Sequence, residues 1–247
     1  MIAAGLLVRT ATGRVPDAMK RFYYRVACRI AAIRVEVAGR AVDDGAVLFV
    51  ANHISYVDIP AIGSHVDVNF VAKSDVATWP VFGLLAKLAG TVFVSRDRRQ
   101  VATQHAELER LLAAGRALFL FPEGTSSEGR QVLAFNSSLL GIAGASDAIV
   151  QPVTVAYRDP RADYAWYGDM NLLPHLGHIL GLPGVTVRLL FHPPVAGASF
   201  ASRKALARHV HDVVADGLAR LTADLPPLPP AATPPGDPVS ANLGGRP

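Results

Sequence analysis

Five consecutive residues, Val47-Leu48-Phe49-Val50-Ala51, constrain the chain more than any other stretch. The run is short, apolar and rich in branched and aromatic side chains, which is the signature of a buried strand. It stops at Asn52, His53, Ser55 and Tyr56. Asp58 follows, and Ile59-Pro60-Ala61-Ile62 opens a helical pattern. In open α/β sheets the crevice at the carboxyl ends of the strands is where ligands bind, so the polar residues after Ala51 stand where chemistry would be done.

Spacing limits how the two titratable residues of this stretch can meet. His53 and Asp58 are five apart, which on one ideal helix would point their side chains about 140° away from each other. They hydrogen-bond only across a turn, with His53 at the strand end and Asp58 at the mouth of the helix. Pro60 agrees, because a proline lacks an N–H and is tolerated in a first helical turn, and Asp58 as N-cap would place it there. Such a pair suits acid–base chemistry. The same residues also suit a plain helix cap preceded by a polar loop histidine.

Strand-like and helix-like segments alternate along the rest of the chain. Strand patterns fall at residues 34–38, 47–51, 68–72, 90–94, 117–121, 149–156 and 185–191, and helical patterns at 17–33, 80–89, 100–114 and 202–225. The alternation predicts an α/β fold with a mostly parallel or mixed central sheet flanked by helices. Residues 34–225 make up the expected functional domain. Residues 226–247 are dense in Pro, Gly and Ala without an aromatic, and are expected to be disordered. Residues 1–33 read as an N-terminal amphipathic segment. Phe22, Val26, Ile30 and Ile33 form one stripe there, with Arg21, Arg25 and Arg29 beside it. A basic amphipathic helix of this kind lies in a membrane interface, or packs as an ordinary surface helix.

Composition narrows the function. Of 247 residues 51% are hydrophobic, yet no uncharged apolar run of spanning length occurs. Residues 81–94 come closest, and Lys87, Gly83 and Gly90 interrupt them. Residues 1–8 are too short and weak for a signal peptide. A cytoplasmic or membrane-surface protein is therefore expected. The single cysteine, Cys28, excludes an internal disulfide and argues against a thiol-ligated metal. His175 and His178 lack a nearby carboxylate or third ligand, so no metal is expected. Net charge is +4, and no basic run is interleaved with aromatics, so nucleic acid is not an expected partner.

Four strand ends carry groups in a particular order: Asn52-His53 with Asp58; Ser95-Arg96 after the strand at 90–94; Phe121-Pro122-Glu123-Gly124-Thr125-Ser126; and Gln151-Pro152 within the strand at 149–156. A proline inside a strand marks an edge or a bulge. The order and spacing of these blocks over residues 35–193 resemble the glycerolipid acyltransferase family, which includes 1-acylglycerol-3-phosphate acyltransferases. The pattern is also similar to that of bacterial lyso-ornithine lipid O-acyltransferases. By this resemblance His53 is a general base and Asp58 its partner. Arg96, Glu123 and Gly124 fall on positions that hold the acceptor, and Thr125 and Lys73 are grouped with them.

The implied activity moves a fatty acyl group from a thioester, acyl-CoA or acyl-carrier protein, to the hydroxyl of a lysolipid. No cofactor is implied, and the partners are the lysolipid, the acyl donor and a membrane surface. Lysophosphatidate, giving phosphatidate, is the leading acceptor and a lyso-ornithine lipid the alternative. Direct transfer is favoured over an acyl-enzyme, because the chain has no G-x-S-x-G elbow and Cys28 lies far from the site in sequence. Two departures reduce the supply of cations. Ser126 stands where many members carry arginine after FPEGT, and Asn136 where many carry lysine. A non-catalytic lipid-binding module and a thioesterase or lipase are the competing readings.

Overall fold

A computed structural model describes residues 17–43, 45–79, 82–95, 97, 99, 101–145, 148–158 and 164–225. The expected disordered tail, Arg96 and residues 1–16 lie outside this set. In chain order the elements are α1 (Asp17–Ile30), β1 (Ile33–Ala38), β2 (Val47–Ala51), α2 (Asp58–Gly63), β3 (Asn69–Lys73), α3 (Phe82–Leu88) and β4 (Val92–Val94). They continue with α4 (Val101–Ala113), β5 (Leu118–Leu120), α5 (Gly141–Ala145), β6 (Ile149–Tyr157), α6 (Leu172–Gly181), β7 (Val185–Phe191), β8 (Val195–Ala196) and α7 (Arg203–Thr222). The expected elements all form, with ends displaced by a few residues. α5, α6 and β8 are additions that the sequence reading missed.

The sheet runs β1-β7-β6-β2-β5-β3-β4. From β6 to β4 every neighbouring pair is parallel. β7 is antiparallel to β6, and β1 pairs in parallel with β7. This is the mostly parallel sheet that the alternation predicts, with β7, β1 and the short β8 reversed at one side. All five residues of β2 are buried, which is why its sequence is a continuous apolar run rather than an alternating one. Phe49, Phe119, Val153 and Leu189 face one core with Tyr24, Ile62 and Ile179 from α1, α2 and α6. Leu48, Leu118 and Val150 face the other with Leu108, Ile142, Leu206 and Val210 from α4, α5 and α7. Each fully buried Leu or Phe contributes about 1.5–3 kcal/mol, so both faces hold the sheet between helices.

Pro152 corrects the expectation of an edge strand. β6 is internal, paired with β2 on one side and with β8 and then β7 on the other. The proline sits between the end of the β8 pairing at Val150 and the start of the β7 pairing at Val153. Its carbonyl accepts from His192 N at 3.0 Å, so its missing N–H would have faced the same gap. The side chain of Gln151 fills that edge, donating to Arg40 O (2.8 Å) and His192 O (2.9 Å).

In α1 the inward residues are Lys20, Tyr24 and Cys28, while Phe22 and Ile30 are 52% and 73% exposed. The apolar stripe of the sequence therefore points outward, and Ile33 leaves it to begin β1. Arg21 pairs with Asp67, and Arg25 donates to Ser64 O at 3.3 Å.

Candidate active site

The turn after β2 is tied down from three sides. Asn52, fully buried, accepts from Val155 N (2.8 Å) and donates to Val155 O (2.9 Å), extending the pairing to β6 through a side chain. His53 O accepts from Ser127 N at 2.9 Å, and Ile54 O from Trp166 N at 3.0 Å. His53 therefore leaves the strand at a fixed place.

Across this turn His53 Nδ1 lies 2.8 Å from Asp58 Oδ2. The same oxygen accepts from Ile54 N (2.8 Å) and Ser55 N (3.1 Å), and Tyr157 donates to Oδ1 at 2.6 Å. Asp58 is the first residue of α2 rather than its cap, which is Val57 and makes no side-chain capping bond. Its carboxylate turns back onto the loop, so the plain capping arrangement is not the one adopted. Pro60 does fall in the first turn. A carboxylate only accepts hydrogen bonds, so Nδ1 carries the proton and Nε2 presents a lone pair. Asp58 is fully buried and the His53 side chain 19% exposed. The imidazole stacks on Phe121, with centroids 4.1 Å apart.

Glu123 lies against the same turn. Both carboxyl oxygens are shielded from solvent and have no hydrogen-bond partner of normal geometry among the described residues. Burial pushes this carboxyl up to about 8, and the charge on Asp58 pushes the same way; the backbone at His53 and Leu133 pulls back only in part. Burial thus favours the neutral acid, a form able to donate. Gly124 adopts φ 68°, a conformation that favours glycine. Its N–H donates to Phe121 O at 3.1 Å, so that amide is committed to the turn and does not serve as an oxyanion donor. Thr125 is exposed. Ser126 is buried and donates to Trp166 O, and Asn136 accepts from Ser138 N at 2.9 Å. Neither position supplies a cation. Lys73 closes β3, separated from β2 by β5.

An apolar cavity of about 430 Å³ opens between α1, α2, α3 and α6, lined by Tyr24, Ile33, Tyr56, Phe82, Leu85 and Ile179 among others. Tyr56, inside the His53–Asp58 turn, donates to His175 Nδ1 (2.9 Å), and His175 Nε2 donates to Ala165 O (3.1 Å). His175 thus closes a wall, and no metal-binding cluster occurs among the described residues. α6 carries no Asp, Glu, Lys or Arg, yet Leu173 and Leu180 are 75% and 51% exposed. Among the described residues no helix is long and apolar enough to cross a membrane.

Residues 32–156 match the acyltransferase family model. A lyso-ornithine lipid O-acyltransferase of Brucella abortus is 38% identical, with 79% of this chain and 80% of that protein aligned. The chain belongs to the acyltransferase family. A 1-acyl-sn-glycerol-3-phosphate acyltransferase of Neisseria meningitidis is 32% identical, with 69% of this chain and 70% of that protein aligned. The crystal structure of the 1-acyl-sn-glycerophosphate acyltransferase PlsC from Thermotoga maritima superposes with a TM-score of 0.63 at 28% identity, covering 84% of this chain and 80% of that one. In this acyltransferase the blocks at the ends of β2 and β5 come together around His53. Asn52, which stands in the first block of the sequence, and Tyr157, which was not singled out there, complete the turn. A tyrosine closing an apolar strand has no spacing that would announce a bond to Asp58.

Proposed function

We propose that the chain transfers a fatty acyl group from a thioester to the hydroxyl of a lysolipid, with a lyso-ornithine lipid as acceptor. The observation that carries the reaction is His53, held by a buried carboxylate through Nδ1 with Nε2 left to take a proton. The acceptor hydroxyl attacks the thioester carbonyl while its proton passes to Nε2, a general-base contribution of about 10²–10⁴ in rate. Asp58 stabilises the imidazolium. The tetrahedral intermediate collapses with cleavage of the C–S bond, the thiolate leaves, and the proton on His53 returns to it. Glu123, whose carboxyl oxygens have no hydrogen-bond partner of normal geometry among the described residues, suits as a neutral acid a hydrogen bond to a polar group of the acceptor. Gly124, Thr125, Lys73 and Arg96 complete the proposed acceptor site.

The acceptor assignment rests on two supports. The relative named a lyso-ornithine lipid O-acyltransferase from Brucella abortus is 38% identical over 213 residues, against 32% over 178 for the neisserial relative named for 1-acyl-sn-glycerol-3-phosphate and 35% over only 118 for one from Mycoplasma pneumoniae. Ser126 and Asn136 are also occupied as structural ties and bring no charge to a phosphate monoester, whose charge-assisted hydrogen bonds would call for cations. Lysophosphatidate is the second reading, favoured by the likeness to PlsC.

Phe22 and Ile30 of α1, Leu84 of α3, and Leu173 and Leu180 of α6 make up the face proposed to rest on the bilayer, on its cytoplasmic side. The cavity between these helices takes the acyl chain. Purified protein should be given each lysolipid with acyl-CoA and with acyl-carrier protein, and kcat/KM compared. Higher kcat/KM for the lyso-ornithine lipid is expected. A preference for lysophosphatidate would pass the assignment to the second reading, and no transfer to either would remove both.

A further inference from the structure

Asp58 is fully buried, and among the described residues the hydrogen bonds to its carboxylate come from the His53 ring, two backbone amides and a tyrosine hydroxyl. Three of them come from its own turn: His53 Nδ1, Ile54 N and Ser55 N, all on Oδ2. The other oxygen, Oδ1, has one donor, the hydroxyl of Tyr157 at 2.6 Å, which arrives from a different strand, β6. β6 is fixed independently by its pairing with β2 and β7. A carboxylate bonded on one oxygen alone can swing about its Cβ–Cγ bond. Bonded on both oxygens, from two elements, it cannot.

We propose that Tyr157 is a positioning residue of the reaction, which fixes the Asp58 carboxylate toward His53 and tempers the charge that His53 feels. The proposal rests on the reading of His53 as general base. Tyr157 is buried, 8% exposed, and its hydroxyl is directed to Asp58, so it acts through Asp58 and not on substrate. Burial first, and then the negative charge of Asp58, hold the phenol well above its usual titration range. It therefore remains a donor over the working pH range. The other titratable groups around the pair are Glu123 from the turn after β5, which feels the charge of Asp58, and Tyr56, whose hydroxyl is directed away to His175.

The physical consequence has a sign. The hydroxyl proton of Tyr157 places positive charge against Oδ1 and so weakens the hold of Asp58 on a protonated imidazole. Without it the imidazolium is better stabilised, and His53 stays protonated, hence inactive as a base, to higher pH. At the same time the carboxylate loses its second anchor and the imidazole its orientation.

Tyr157→Phe tests this. We expect kcat to fall about tenfold, KM to stay within about twofold, and the acidic limb of the pH–kcat/KM profile to move up by about half a unit. In an Asp58→Asn background the same substitution should have little further effect, because residues acting through one group are not additive. 3-Fluorotyrosine placed at position 157 keeps the ring and strengthens the donor, and should move the limb to lower pH even if the phenylalanine variant folds poorly. Asn52→Ala is the contrasting variant: it breaks the tie to Val155 and should lower Tm and kcat without moving the limb. An unmoved limb in both Tyr157 variants, or effects of Tyr157→Phe and Asp58→Asn that simply multiply, would overturn the proposal. If His53→Ala keeps full activity, it is the general-base reading itself that fails.

Discussion

In the turn after β2 both oxygens of Asp58 have donors, and the chain on either side is tied to β6, to Ser127 and to Trp166. On the face made by α1, α3 and α6 the opposite holds: Phe22, Ile30, Leu173 and Leu180 stand exposed. A charge in a dry turn persists only if its hydrogen bonds are complete, so the turn is set before any substrate arrives. Apolar side chains in water forgo about 25 cal/mol for each Å² left uncovered. A cluster of them beside an apolar cavity is explained when a second apolar phase covers it. On the proposed function the first region serves chemistry and the second access to lipid, and variants in one should leave the other untouched.

The largest expected effect is on the chemical side. His53→Ala should lower kcat/KM about 10²–10⁴-fold with little change in melting, because the imidazole is partly exposed and its neighbours are held by other bonds. Asp58→Asn should cost transfer about as much, and unlike His53→Ala it should also lower Tm. A neutral amide cannot satisfy the donors at Ile54, Ser55 and Tyr157 as a carboxylate does, and unsatisfied buried groups cost about 1–3 kcal/mol each. Assays in detergent with soluble lysolipid would read the first effect, and thermal melts the second. Vesicle binding of both variants should equal wild type.

On the lipid side, Leu173→Gln with Leu180→Gln should weaken binding to anionic vesicles about tenfold, the equivalent of losing one buried leucine's contribution, and leave Tm and detergent activity unchanged. Arg25→Gln with Arg29→Gln should reduce the salt-sensitive part of binding, about 1 kcal/mol for each arginine near the surface. Cosedimentation at several salt concentrations separates the two. If the leucine pair changes Tm rather than binding, the face packs against protein and the contrast drawn above is lost.

A separate effect concerns Glu123, which lies on the chemical side and whose carboxyl oxygens have no hydrogen-bond partner of normal geometry among the described residues. Its carboxyl is raised from 4.5 to about 8. Between those values the folded chain holds a proton that the unfolded chain has released, so this residue's contribution to stability falls as pH rises from about 4.5 to 8 and is flat above. Glu123→Gln mimics the protonated form and removes that decline. Its Tm should equal wild type near pH 5 and exceed it at pH 9. Equal melting curves at pH 9 would show that the acid is not buried in solution.

The sequence disclosed the parts whose signal is local. The continuous apolar run of β2 and Pro60 in a first helical turn each have a spacing or composition that a short window detects. His53 and Asp58 were singled out the same way, at a strand end, whereas the role expected of Glu123 came from the family resemblance of its block. What escaped depended on contacts over long separations. Asn52 reaches Val155 and Tyr157 reaches Asp58 only because β6 lies beside β2. Pro152 was read as an edge or a bulge, and the change of partner from β8 to β7 that it marks on one side of β6 is a property of the assembled sheet. α6 was missed since its apolar residues include several that face outward, which blurs the inward stripe that marks a helix.

Direct transfer through His53 is most directly tested by thiol release in a single turnover. Enzyme in excess over acyl-CoA should release no thiol until a lysolipid is added, then one thiol for each ester formed, and His53→Ala should release none with or without acceptor. Stoichiometric thiol release by the wild-type protein before any lysolipid is present would contradict it, and would place the acyl group on the protein or in water instead.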